Sequence, residues 1–216
     1  MGLFSPLPWI RRIASLFLLG ALFLPMVRGC GMEFTPVEVV KILPESGPRG
    51  WLFKAGVLFP HFLALGLVLA EVMVLRKNET AAFRLLAGFA LAEAALLVGA
   101  GVVLPLAGAS DVRGVAETLR VSTAFERAGM AFALGYPLAG AVWIAFGRGG
   151  GGGAERLRRL GVLAVGGVLL WYGAFIAEGA LDSSGRVTAA GLDFLRWGFW
   201  LSFSAALVVW VSLLER

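Results

Sequence analysis

Residues 52–75 read LFKAGVLFPHFLALGLVLAEVMVL and, after the six residues RKNETA, residues 82–107 read AFRLLAGFALAEAALLVGAGVVLPLA. An α-helix rises ~1.5 Å per residue, so about 20 apolar residues cross ~30 Å of hydrocarbon. Both runs exceed that length, and Arg76, Lys77, Asn78 and Glu79 supply a polar turn between them. The pair therefore reads as a helical hairpin in a bilayer. Four further apolar runs lie at 13–27, 124–146, 160–177 and 194–214. The fold expected is all-α: an integral membrane bundle of six transmembrane helices with both termini cytoplasmic. The connections are too short for a separate soluble domain, so 1–216 reads as one membrane domain.

Composition agrees. Charged residues make up 15% of the chain and mean hydropathy is +0.85, too apolar for an ordinary soluble domain. The basic pI suggests nucleic acid only superficially. The positive charge sits at the ends of apolar runs, and no polar segment carries a basic patch interleaved with aromatics. The partners expected are the lipid bilayer and other membrane proteins or a second copy, with no nucleic acid. One cysteine, Cys30, and one histidine, His61, exclude an intramolecular disulfide, a Cys-rich metal site and bis-histidine haem ligation. No cofactor and no metal are expected.

Charge sets the orientation. With the N-terminus inside, ten Lys/Arg stand against three acids on the cytoplasmic side, and nine against nine outside. The dense clusters Arg11-Arg12, Arg76-Lys77 and Arg156–Arg159 all fall inside, as the positive-inside rule requires. Six of the seven tryptophans lie near the ends of runs, where the headgroup layer favours them, and Trp171 lies mid-run. The first run follows Arg11-Arg12 and reads as an uncleaved signal anchor, with cleavage and acylation at Cys30 as the alternative.

Between the first two runs, the outer loop 28–50 is amphiphilic. Pro36 after Thr35, Glu38 in the first turn and the later Pro44 predict a short surface helix. Residues 148–158 form a Gly-rich cytoplasmic loop, in which Gly149 to Gly153 reads as a flexible linker. Small residues recur at packing spacing in Gly66/Ala70, Gly88/Ala92 and Ala131/Gly135/Ala139, which predicts close helix contacts. Pro60 and Pro137 sit well inside their runs and predict kinks.

Ionisable groups inside the apolar layer are the candidates for chemistry. His61 lies 17 residues before Asn78 and Glu93 lies 15 after, so their depths differ by only ~3 Å. Histidine and carboxyl can share a proton. Glu71 and Arg84 are level nearer the cytoplasmic side. One hairpin interface does not comfortably hold both pairs, because His61 and Glu71 are about 80° apart around one helix and Arg84 and Glu93 about 180° around the other. His61, Glu93, Glu71 and Arg84 form a candidate proton, ion or ligand site. At the outer ends of the runs, Lys54, Glu126, Arg127, Glu178, Asp193 and Arg196 form a candidate vestibule, with structural ion pairing as the alternative.

Leu24-Pro25 at the end of the first run, then Cys30-Gly31, resembles a pattern in uncharacterised bacterial polytopic membrane proteins. The resemblance spans about ten residues and implies no activity. No HExxH or GxSxG motif occurs, and Ser122, Ser202 and Ser204 lack the flanking residues of an intramembrane serine enzyme. A non-enzymatic protein of a bacterial cytoplasmic (inner) membrane is expected, in one of two classes. One is an accessory or structural subunit of a larger membrane assembly. The other is a small proton-linked transporter or channel using His61 and Glu93. A dry, tightly packed interior favours the first, and an enlarged polar-lined interior the second.

Overall fold

The computed structural model describes residues 7–29, 31–42, 47–106, 113–114, 117, 120, 124–146, 152–180, 192–193 and 195–214. Among these the chain is almost wholly helical. Helix α1 (Leu7–Gly20) passes into a 3-10 turn at Ala21–Phe23, then into strands β1 (Val27–Gly29) and β2 (Met32–Phe34). There follow α2 (Pro36–Ile42), α3 (Gly47–Leu75) and α4 (Glu79–Val98). The last continues through a π turn at Gly99–Val103 to Leu104–Leu106. The remaining helices are α5 (Ala124–Phe146), α6 (Gly153–Ala180) and α7 (Trp197–Leu214).

Four helices are long and apolar enough to cross a membrane: Lys54–Leu75, Glu79–Val103, Gly153–Ala174 and Trp197–Leu214. Helix α5 offers a shorter apolar stretch, Gly129–Ala145, and α1 has 14 residues, about 21 Å. Hydropathy and length together thus single out four crossings among the described residues, fewer than the six runs suggest. The reason is local. The run 13–27 does not stay helical, because α1 stops at Gly20 and the chain is extended at Leu24.

Helix α6 is the hub. It packs on α3, α4, α5 and α7, while α1 closes the far side against α3 and α7. Ala164, Val165, Val168 and Tyr172 of α6 meet a core that includes Leu63 and Ala64 of α3 and Phe199, Ala206 and Val209 of α7. The Tyr172 ring stands edge-on to Phe199 at 5.1 Å. The outside is apolar as well. Phe62, Leu65 and Leu69 on α3, Leu91 on α4, and Phe132, Leu138 and Val142 on α5 are exposed. That surface exceeds what soluble monomers leave in water and suits lipid.

The small-residue faces divide. Gly66 and Ala70 are buried, and Phe89 of α4 fills the space beside Gly66. Gly88/Ala92 and Ala131/Gly135/Ala139 point outward instead, and a Cβ built at Gly88 or Gly135 meets nothing within 4 Å. The inward face of α5 is Met130, Ala133 and Gly140. Helices α3 and α5 run on through Pro60 and Pro137.

Two expected loops are partly ordered. Helix α6 begins at Gly153, seven residues before the apolar run at 160, so residues 153–158 are helix rather than loop. The cause is an ionic first turn: Arg158 grips Glu155 with two nitrogens at 2.8 and 2.9 Å, and Arg159 reaches it at 3.1 Å. The rest of the glycine tract, apart from Gly152, lies outside the described residues, as does Cys30. In the outer loop, β1 and β2 pair antiparallel as a hairpin that hydropathy does not announce, with Gly31 at φ +81° in the turn.

Helix α2 starts with a capping box. Thr35 N donates to the Glu38 carboxylate at 2.8 Å and Glu38 N donates to the Thr35 hydroxyl at 3.3 Å. These bonds from Thr35, with Lys41 nearby, hold the Glu38 carboxyl below the usual carboxylate range. Because the folded state favours the ionised form, its contribution is present above the ordinary pKa and is lost as pH falls through the lowered one. The protection of α2 amides, relative to their intrinsic exchange rates, therefore falls in acid, and Thr35→Ala lowers it about fivefold at neutral pH, read by hydrogen exchange.

Candidate functional site

The four interior candidates do not assemble into one site. Each is held by a different neighbour, and the neighbours explain why.

Glu71 sits near the end of α3 that meets the start of α1. Arg11 Nε reaches its Oε1 at 2.5 Å and Arg12 Nε its Oε2 at 2.8 Å. Two charge-assisted bonds on one carboxylate tie α1 to α3 at the end where the basic clusters lie. The level pairing of Glu71 with Arg84 is not made; Arg84 is exposed on α4. Helix α1 brings Arg11 and Arg12 to the Glu71 carboxylate instead. The sequence holds a signal for this, since the charge count assigns Arg11-Arg12 to the cytoplasmic side and Glu71 lies nearer that side of its run.

His61 is buried at 1% exposure and answers a backbone need. Leu18 is among the last four residues of α1, whose carbonyls have no intrahelical partner. His61 Nδ1–H donates to the Leu18 carbonyl at 2.6 Å. A carbonyl only accepts, so this contact places the proton of a neutral ring on Nδ1. Nε2 is buried and has no hydrogen-bond partner among the described residues. The same break in α1 exposes further backbone groups, and the start of α7 meets them. Arg196 N donates to Met26 O and Gly198 N to Pro25 O, both at 2.9 Å, and Val27 bridges Leu195. Gly198 is needed there, because a Cβ would overlap the Pro25 carbonyl.

Glu93 is also buried, at 5% exposure, but it faces α6. Its carboxyl lies against Gly167, where a Cβ would overlap it. Oε1 is out of water without a hydrogen-bond partner among the described residues. Beside it is a cavity of about 10 Å³ lined by Gly56, Phe59, Pro60, Leu96, Gly167 and Trp171 among others. No hydrogen bond joins His61 to Glu93. The expected pair is divided in direction, His61 toward α1 and Glu93 toward α6.

The outer vestibule is not gathered either. Arg196 pairs with Glu33 of β2 at 2.7 Å. Lys54 is buried, with its Nζ 5.8 Å from the centre of the Trp51 ring. Asp193 and Arg127 are exposed. The side chains of Glu126 and Glu178 lie outside the described residues. For Arg196, structural ion pairing is what the geometry gives.

Two arginines make contacts that escape a reading by runs. Arg158 donates to the Leu213 and Leu214 carbonyls at 3.0 and 3.3 Å, and Arg159 to the Trp143 carbonyl at 3.1 Å. The first turn of α6 thereby caps the ends of α7 and α5. The spacing Glu155, Arg158, Arg159 marks a helix turn in the sequence, but not which carbonyls it reaches. Among the described residues no group of three or more His, Cys, Asp or Glu could hold a metal ion.

No protein-family model, no curated protein and no solved structure matches this chain.

His61→Leu leaves the Leu18 carbonyl unsatisfied and costs about 1–3 kcal/mol of stability, whereas His61→Asn, which retains a donor, recovers part of it. Unfolding of the purified variants in detergent reads the difference. Glu71→Gln destabilises by about 2 kcal/mol in the same assay, because two arginines lose their carboxylate.

Proposed function

We propose that this chain is a non-catalytic, multi-pass protein of a bacterial cytoplasmic membrane, serving as an accessory or structural subunit of a larger membrane assembly. The observation that carries the reading is the pair of outward small-residue faces, Gly88/Ala92 on α4 and Ala131/Gly135/Ala139 on α5. In lipid there is no hydrophobic force between apolar helices, so association rests on close packing, and small residues allow it. These faces do no packing within the described chain and are available to a neighbouring helix. The interior supports the same reading: the described core is apolar and closely packed, and its cavity has room for about one water molecule.

In this reading α1 and α5 make shorter crossings beside the four long ones, giving six. The topology has support in the contacts. Arg11 and Arg12 on Glu71, Glu79 against Gly153, and Arg158 on the end of α7 put the basic clusters at one end of the bundle. Lys/Arg-rich ends lie on the cytoplasmic side. The proton-linked alternative has less behind it, because its two residues face different helices.

Purification from native membranes in mild detergent tests the proposal. Companion chains, or a second copy, remain bound to the wild-type protein. Gly88→Ile and Gly135→Ile shed them while the variants melt like the wild type, since both positions have open space around the new side chain. A clean monomer from native membranes, unchanged by either substitution, overturns the subunit reading.

A further inference from the structure

The buried carboxyl of Glu93 has no role in the contacts that hold the bundle together. Three features make its surroundings a built site. Gly167 on α6 leaves the space the carboxyl occupies, and Gly56 on α3 leaves the space for the Trp171 ring, which a Cβ would overlap. Between them lies the cavity of about 10 Å³, against which Phe59, Pro60 and Leu96 also pack. The carboxyl is 5% exposed and its Oε1 has no partner.

The occupant follows from size and chemistry. The cavity is small and, Glu93 apart, lined by apolar residues, so it offers a polar ligand no second partner. A metal cation needs several oxygen ligands, and this site offers a single carboxyl among apolar side chains. A bare carboxylate here, with no cation paired to it among the described residues, is costly in an apolar layer. The remaining candidate is a proton.

We propose that Glu93 is an intramembrane proton-binding site, its buried carboxyl holding a proton where α4 meets Gly167 of α6. Three helices pack against this part of α4, namely α3, α5 and α6. From α3 the lining groups are Gly56, Phe59 and Pro60, none titratable; the nearby His61 is committed to Leu18 and Lys54 stands over Trp51. From α6 the lining groups are Gly167, Val168 and Trp171, again none titratable. From α5 the Tyr136 phenol is the titratable neighbour, and its hydroxyl donates to the Leu163 carbonyl at 2.6 Å. The site therefore works through one acid, without His61. It does not depend on the subunit reading, and either can fail alone.

Infrared spectroscopy of the full chain in phosphatidylcholine vesicles is the test. A protonated carboxyl gives a carbonyl stretch well separated from the amide band. One such band is expected at neutral pH, lost in Glu93→Gln, shifted in heavy water, and replaced by carboxylate absorption as the pH is raised. Gly167→Ala crowds the carboxyl and moves the pH midpoint by about one unit, tenfold in proton affinity, whereas Gly129→Ala, on an open face of α5, leaves it in place. The wild-type titration and the two glycine variants stand even if Glu93→Gln fails to fold. No carboxylic-acid band at neutral pH, a band that survives Glu93→Gln, or one that ignores heavy water overturns the proposal.

Discussion

The break in α1 at Gly20 is the constraint on which the rest of the bundle turns. A helix that ends inside an apolar run leaves backbone carbonyls where water does not reach, and hydrocarbon offers them nothing. The chain answers from three directions. His61 of α3 takes the Leu18 carbonyl, the start of α7 donates to Pro25 and Met26, and Phe34 of β2 accepts from Met26 N. Each answer fixes an adjacency. Helix α1 must lie against both α3 and α7, the hairpin must cover the broken end, and Gly198 must lack a side chain. With the Arg11–Glu71 and Arg12–Glu71 bonds at the opposite end, α1 is held to α3 at two depths.

Much of the helical architecture was legible in the sequence, because one-dimensional quantities encode it. Run length and hydropathy located α3, α4, α5 and α7 to within a few residues or one helical turn. Thr35-Pro36 and Pro44 bracketed α2. What hydropathy cannot see is a backbone change inside a uniformly apolar run, so it does not mark the stop at Gly20. It also cannot see a helix prolonged by its own ion pairs, so α6 was started seven residues late.

The candidate site shows the same limit more sharply. Hydropathy places His61, Glu93 and Glu71 inside apolar runs, and the structure buries the first two and half-buries the third. Direction around the helix depends on which helices are neighbours, and adjacency between α1, α3 and α7 is not written in any local pattern. His61 therefore turned out to cap α1, Glu71 to bind the Arg11-Arg12 pair, and Glu93 to face α6 alone. The small-residue faces repeat the lesson: Gly66/Ala70 met a helix of the same chain and the other two did not.

The exposed apolar side chains of α3, α4 and α5 call for lipid as the solvent of the outer surface, and extraction measures that directly. Isolated membranes washed in alkaline carbonate strip away peripheral and soluble proteins while leaving spanning ones in place. The account predicts that the whole chain stays in the pellet and enters solution only with detergent. Recovery of the folded chain in the carbonate supernatant would contradict it.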